Sequence, residues 1–502
     1  MFWSSDLMTN NAILDLDYNG RHIDSGKWPN SSLTVSPRIG FVYDVFGDKT
    51  LKFRGGTGFF QGRLPLVFFT NLPTNSGMIQ YQAQLNATKA WNPKTGKKEG
   101  VDMKPFAGGL VVDKDGKPTA AALLNKLISM GYPENITPEK GTVPSAISAV
   151  DTDFKLPQVW KTSFAIDYQI PVSFPMSVSV EGIFNKTLNA ATLTDWSVQD
   201  AKGFPRFNGA DNRPVYPKGS TVGTSAYVLE NTSRGYGWSF SAQVNAQPWE
   251  WLNLMAAYTH TVSKEVTSLP GSNASSVLNY ISTVYGPNNI KLHNGQNVTP
   301  DRIIASATIH DKSNNHYSFI YEAWRGGYNY SYMMVNDINA DGYNYDAIYI
   351  PTDKQVADNE FRFKTEDDKT RFMDYVHNDS YLKNHQGEYA EAYSLYSPWV
   401  HRIDFSFKHD FKFDVAGHTN TIQLSFDMKN VLNFFNSSWG VMKYLNPEIG
   451  SDPRILRYEG YDKDGYATFS TPKSINGNTK TFVPNHAIGQ CWYASVGLRY
   501  IF

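Results

Sequence analysis

Residues 402 to 413 read RIDFSFKHDFKF, and this alternation constrains the fold more than any other feature of the chain. Successive side chains on a β-strand point to opposite faces, so a period of two marks a strand with one apolar and one polar side. Here Ile403, Phe405, Phe407, Phe411 and Phe413 share one face, while Arg402, Asp404, Ser406, Lys408, Asp410 and Lys412 share the other. His409 alone breaks the apolar row. The pattern returns at 421–429, where Ile422, Leu424, Phe426 and Met428 oppose Thr421, Gln423, Ser425, Asp427 and Lys429. It returns at 160–169 and 238–247, and further candidates lie at 34–44, 50–60, 174–187, 251–263, 301–311, 315–327 and 490–502.

Strands of about ten residues exceed the five or six usual in soluble sheets. Their connections alternate in length. Phe46 to Lys49 and Pro248 to Glu250 are short turns, whereas 71–157, 199–234, 264–300, 328–398 and 433–489 are long, polar and rich in Gly, Asn, Pro and Tyr. Long amphipathic strands joined by short and long connections in turn predict an all-β fold, an antiparallel transmembrane β-barrel with long extracellular loops. Helical signals fall only inside the long connections. Residues 119–130 sit between Pro118 and Gly131, and 365–377 open on Thr365 with acids in the first turn.

Composition agrees once alternation is allowed for. Mean hydropathy is −0.42, and no apolar run reaches the roughly 18 residues that a membrane helix needs, yet 12 Trp, 30 Tyr and 30 Phe bring aromatics to 14%. Lys plus Arg number 46 against 47 Asp plus Glu, a net charge of −1 that argues against a nucleic-acid partner. The single Cys491 excludes an internal disulfide framework and a Cys-rich zinc site. HExxH, a phosphate-binding P-loop and a GxSxG elbow are all absent, so the chain is expected not to be an enzyme. Met1 to Asn10 carries no basic and apolar segment of the secretory kind.

The last residues, CWYASVGLRYIF, place Trp492, Ala494, Val496, Leu498, Tyr500 and Phe502 on one face. Aromatics bracketing aliphatics are what a strand facing outer-membrane lipid presents, with rings at both interfaces. A final Phe closing such a strand looks like the signal by which barrel proteins are recognised for insertion.

The stretch 36–65, SPRIGFVYDVFGDKTLKFRGGTGFFQGRLP, and the stretch 402–440, which ends QLSFDMKNVLNFFNSSWG, resemble the barrel of Oar-like TonB-dependent outer-membrane receptors of Gram-negative bacteria. The resemblance runs from about Gly26 to Phe502 and implies an outer-membrane location, a nutrient ligand captured by the loops, and passage through the lumen when the TonB complex pulls a plug. Family members carry a signal peptide, a regulatory-like domain, a TonB box and a plug, none recognisable here. Residues 1–502 are therefore expected to form the C-terminal part of a barrel that closes at about 22 strands. The alternatives are a non-transporting surface adhesin or interaction barrel, and a soluble secreted carbohydrate-binding β protein.

One short motif points to a metal. Asp337, Asn339 and Asp341, followed by Gly342, reproduce the first half of a calcium loop, where glycine permits the turn that aims three oxygens at one ion. Position 12 is Ile348 where the calcium loop places Glu, and Asp346 is the candidate substitute. The competing reading is an Asx-rich turn. Two further sites, Asp113 to Gly116 and Asp462 to Gly465, read as turns. Arg38, Lys52 and Arg54 on the polar face of the first two strands fit either a lumen lining or pairing between strands. Tyr328, Tyr330, Tyr332, Tyr343, Tyr345 and Tyr349 fit either a ligand platform or an interfacial girdle.

Overall fold

In the computed structural model, the residues described are 6–64, 66–74, 76, 78, 91–92, 97–98 and 111–502 apart from 133, 136, 140–142, 145, 268, 270, 272, 416 and 451. Part of the predicted 71–157 connection lies outside them.

Every predicted strand forms. The sheet path runs β1 (Arg38–Asp44), β2 (Leu51–Gln61), β3 (Gln158–Gln169), β4 (Met176–Asp195), β5 (Tyr236–Trp249), β6 (Leu252–Glu265), β7 (Asp301–His310), β8 (Asn315–Arg325), β9 (Val400–Val415), β10 (His418–Lys429) and β11 (Tyr493–Ile501). Each neighbour pairs antiparallel in sequence order. Among the described residues β1 and β11 do not pair with each other, so this is an open wall of barrel type. No described helix is long and apolar enough to cross a membrane, which says nothing about crossing by strands.

The wall has no buried core of its own. Phe319 on β8 is 43% exposed and Leu498 on β11 is 76% exposed. Tilted rings pack along the apolar face instead, with Tyr317 against Phe407 at 5.1 Å and Phe319 against Phe405 at 5.0 Å between centroids. On the opposite face Arg54 of β2 reaches Asp167 of β3 at 3.1 Å and Glu181 of β4 at 3.3 Å. The second reading of the inward charges therefore holds for Arg54, while Arg38 lies over the Phe60 ring at 4.3 Å. His409, the break in the apolar row, sits on the last rung shared with β8 and meets the Asn315 amide at 2.6 Å. A polar ring is tolerated there because the neighbouring hairpin ends at that rung.

The long connections fold over one end of the wall into a cap with a conventional core. Phe372, Val376, Leu382, Ile348, Ile350, Ile455 and Leu456 are fully buried in it, together with Tyr332, Tyr375 and Phe469. Short strands at Met333–Met334, Arg454–Tyr461, Ala467–Ser470 and Arg362–Phe363 make a small mixed sheet beneath. Both predicted helices form, α1 (Ala120–Ser129) and α2 (Glu366–Asn378). Thr119 Oγ1 accepts the Ala122 N–H at 3.1 Å and Thr365 Oγ1 accepts the Asp368 N–H at 3.1 Å, which satisfies amides that no helical carbonyl can reach. The Asp462 turn joins the two strands at 454–461 and 467–470, whereas Asp113 closes a turn on Asp115 and Lys117 without flanking strands.

Two devices tie cap to wall. β4 spans 20 residues, roughly 65 Å when extended, which is longer than any bilayer core. Residues 176–189 pair with β3 and β5, and the last six residues pair with Ser225–Thr232 inside the cap. The second device is Asn430, in the left-handed conformation where β10 ends. Its Nδ2 donates to the Gly440 and Gln490 carbonyls at 3.0 and 2.8 Å, and its backbone N–H donates to Asp404 on β9 at 2.9 Å. A Cβ on Gly440 would stand 1.8 Å from Asn430 Oδ1, and φ there is 65°, so only glycine fits.

Candidate ligand cavity and acidic loop in the cap

Two cap loops enclose a cavity of about 560 Å³. The first loop is held to the barrel rim because His293 and Asn294 pair antiparallel with Glu265 and Lys264 at the end of β6. The second is held by Tyr349–Tyr389 and Ile350–Glu388 pairing. The Ala347 N–H donates to the Thr283 carbonyl at 2.8 Å and locks one loop to the other. The walls carry Tyr285, Lys291, His293, Glu388, Tyr389 and Glu391.

The chemistry of these walls is mixed. Lys291 Nζ lies 4.9 Å above the Tyr285 ring, and Glu391 pairs with Lys264. Tyr389 donates to Asp211 Oδ1 at 2.9 Å, and burial together with that carboxylate pushes its phenol above the ordinary range, so it stays a neutral donor. Burial lowers His293, which keeps its imidazole neutral, with Nδ1 2.8 Å from the Asn294 carbonyl. Ser282 Oγ is buried in the wall without a hydrogen-bond partner. A second polar cavity of about 460 Å³ shares Glu391 and adds Lys264, Arg325 and His385. Opposite charges, aromatic faces and neutral donors within one volume of ligand size are the ingredients of a small-molecule site.

The predicted calcium residues sit beside this cavity and are engaged otherwise. Asp337 accepts the Ala340 and Gly342 N–H groups at 2.7 and 3.0 Å. Asn339 Oδ1 accepts the Asp341 N–H at 3.1 Å, and Asp341 accepts from the Tyr343 N–H at 2.8 Å and from Asn339 Nδ2 at 3.2 Å. Asp346 accepts the Ile338 N–H at 3.1 Å and faces Arg213 Nη1 at 3.5 Å. Every carboxylate oxygen of the motif is thus turned to a donor within the protein. Among the described residues no group of three His, Cys, Asp or Glu side chains is placed to hold a metal. These hydrogen bonds are those of the Asx-rich turn, the competing reading of the motif.

The local cation is Arg213, fully buried, which sequence reasoning missed. Its Nε and Nη2 donate to both oxygens of Asp211 at 2.8 and 2.9 Å, and Nη2 also donates to the Ala347 carbonyl at 2.7 Å. One guanidinium does not neutralise the whole loop. Burial, with the Asp337 charge added, pushes Asp341 up to about 7, and burial raises Asp337 and Asp346 as well, Arg213 opposing the shift of Asp346. Nothing in composition marked Arg213. The only signal was its place two residues after Asp211.

The tyrosines predicted as a platform or girdle divide differently. Tyr332 and Tyr349 are core residues, Tyr330 packs against the core, and Tyr343 donates to Asp195 at 2.7 Å. Tyr328 is the exposed one of the set.

A family model described as outer membrane beta barrel domain matches residues 5–440. The chain belongs to that family. It is an outer-membrane β-barrel protein, and its cap is the set of long loops at one end of the barrel. No curated protein matches it. Among solved structures it is similar to the outer membrane transporter YddB from Escherichia coli, at 11% identity and a TM-score of 0.40, over 93% of this chain and 41% of that one. The chain therefore spans about two fifths of the length of that structure.

Proposed function

We propose that this chain is the barrel and loop cap of an Oar-like TonB-dependent receptor, and that the cavity between the cap loops captures a small zwitterionic nutrient, a short peptide being the class its walls fit. The observation that carries the reading is the cavity at 560 Å³, lined by Tyr285 and Lys291 from one loop and by Glu388, Tyr389 and Glu391 from the other. A free carboxylate suits the lysine, a free amine suits the glutamates, and a side chain or peptide plane stacks on the tyrosines. A neutral sugar would offer Lys291 no anionic partner, which makes it the poorer fit.

Two measurements test it. Purified protein in detergent is titrated calorimetrically with a casein tryptic digest and with maltodextrins; heat with the digest that Glu388→Gln and Lys291→Gln each weaken supports the peptide reading. Heat with maltodextrin only would overturn it. Cells expressing the full receptor locus are then given labelled dipeptide with and without a protonophore. Uptake that stops with the protonophore supports TonB coupling, and surface binding with no uptake in either condition makes the chain an adhesin.

A further inference from the structure

His310 and His316 stand directly opposite each other as the last paired residues of the β7–β8 hairpin, at the end of the wall that carries the short turns. The His310 N–H donates to the Trp251 carbonyl on the β6 side at 2.9 Å, so toward β8 this rung is a non-hydrogen-bonded pair, the kind that brings facing side chains closest. The two imidazoles accordingly converge, Nδ1 to Nδ1 at 2.5 Å, with ring centroids 4.8 Å apart. Both belong to the polar face, in register with Thr308, Ser318 and Lys408.

The outer nitrogen of His316 is already committed. Nε2 faces Asp410 Oδ2 at 3.4 Å, and Asp410 Oδ1 in turn accepts from Gln423 Nε2 at 2.8 Å. A carboxylate that takes the Nε2 proton fixes the tautomer and leaves the Nδ1 lone pair aimed at His310. This is the arrangement by which ligating histidines are oriented at metal centres. The nearby Asp311 cannot compete as a ligand, because its oxygens accept from the Ser313 and Asn315 N–H groups and from the Asn315 amide. With His316 Nδ1 left as an acceptor, the short approach is met in either of two ways: a neutral His310 donates its own Nδ1–H, or both rings turn lone pairs to a metal that makes two coordinate bonds.

We propose that His310 and His316 form a two-imidazole site for a borderline divalent transition metal, Cu²⁺ above Ni²⁺ and Zn²⁺, with Asp410 as the positioning residue. Imidazole selects these ions over calcium and magnesium, and their order follows the general affinity series for nitrogen sites. Two protein ligands leave the remaining positions to water or to a group brought from outside the chain. Lys408, opposite His316 on β9, adds a like charge on the same face, and Asp410 offsets it.

The test is a CuCl₂ titration of the full chain folded in detergent, followed by electron paramagnetic resonance. The expected result is one saturable copper per chain with superhyperfine lines from two nitrogens. His310→Ala and His316→Ala each abolish this class, and Asp410→Asn weakens it about tenfold without changing the number of nitrogens. His418→Ala, at the next hairpin, leaves it unchanged. A spectrum identical in wild type and both histidine variants would overturn the proposal, and so would wild type taking up no copper, as a direct His310–His316 hydrogen bond alone predicts. Folding of each variant is read from its heat-modifiable gel mobility. Should a variant not fold, carbethoxylation of wild type decides: copper protects His310 and His316 but not His418, and equal modification with and without copper removes the site.

Discussion

Phe319 on β8 and Phe372 on α2 are the same side chain under two regimes. Phe319 is 43% exposed on the apolar face of the wall and packs against the Phe405 ring, while Phe372 is fully buried among the residues of the cap core. In the wall, apolar side chains look outward and polar ones inward, and the backbone ladder supplies the order. In the cap, apolar side chains look inward as in any water-soluble domain, and even charges are taken inside in pairs. The two regions should therefore respond in opposite ways to the same change, and that is where the comparison can be broken.

The largest expected effect is at Arg213. Replacing it by Met leaves Asp211 and Asp346 buried without their cation, a loss of about 3–5 kcal/mol for a broken buried pair. Limited proteolysis of the protein in outer-membrane vesicles should then cleave within 199–234 and 328–398 while the wall keeps its heat-modifiable mobility. Loss of both together would mean that cap and wall fold as one unit.

Next in size is the phenylalanine pair itself. Phe372→Ala opens a cavity in the cap core and should cost about 3–5 kcal/mol. Phe319→Ala only exchanges ring for lipid contact on an exposed face and should cost well under half of that, because hydrocarbon outside is as apolar as the ring. The order inverts for charge, since Phe319→Arg near the bilayer midplane should cost about 2–4 kcal/mol. Equilibrium unfolding in urea of each variant in detergent or lipid checks all three; equal costs for the two alanine variants would erase the distinction.

A smaller effect separates the regions by pH. The folded Asp341 titrates near 7 against 3.8 for the free group, so the folded cap binds this proton more tightly than the unfolded chain does. Stability from Asp341 is then complete below about pH 4, falls as pH rises between about 4 and 7, and is flat above 7. Hydrogen exchange of peptides covering 337–346, corrected for intrinsic rates, should accelerate across that window, and Asp341→Asn should flatten the dependence. Peptides from β9 and β10 should not follow it. A flat profile in the wild type would mean that water reaches the loop. Added calcium should leave the exchange unchanged, since the oxygens of Asp337, Asp341 and Asp346 already have donors.

The same contrast governs how much of the molecule was legible in its sequence. All eleven strands of the wall were readable because their rule is local: one face meets lipid, so residue i predicts residue i+2. The pattern stopped furthest short where a distant partner takes over, in β4, which runs on to Asp195 because Ser225–Thr232 lies beside it. The helices were readable from their caps, Thr119 and Thr365. The cap core was not. Arg213 meets Asp346 across 133 positions, and the two walls of the cavity come from 282–293 and 388–392. No period connects such residues. The Asp337 motif was legible only in part for a related reason: spacing specifies a loop with oxygens at intervals, while the donors that meet those oxygens are set by backbone conformation and by a residue far away. Tyr332 and Tyr349 looked like surface for want of any local sign that they were core.

The smallest expected effect probes the cap through α2, its longest described helix. Thr365 accepts the Asp368 N–H at 3.1 Å and donates to Asp368 Oδ2 at 2.6 Å, while Asp368 also receives Arg371 Nη2 and the Thr471 N–H, each at 2.9 Å. Thr365→Ala removes the first two bonds and leaves the others, so about 1 kcal/mol should be lost. Exchange should quicken at the amides of 366–369 and not at those of Phe372 to Val376, whose face is held by the core. Thr365→Ser should restore protection, because the bond needs only the hydroxyl. If the alanine variant instead loosened the whole helix, packing would be contributing less to the cap than the burial of Phe372, Tyr375 and Val376 implies, and the cap would resemble the wall in drawing its order from hydrogen bonds.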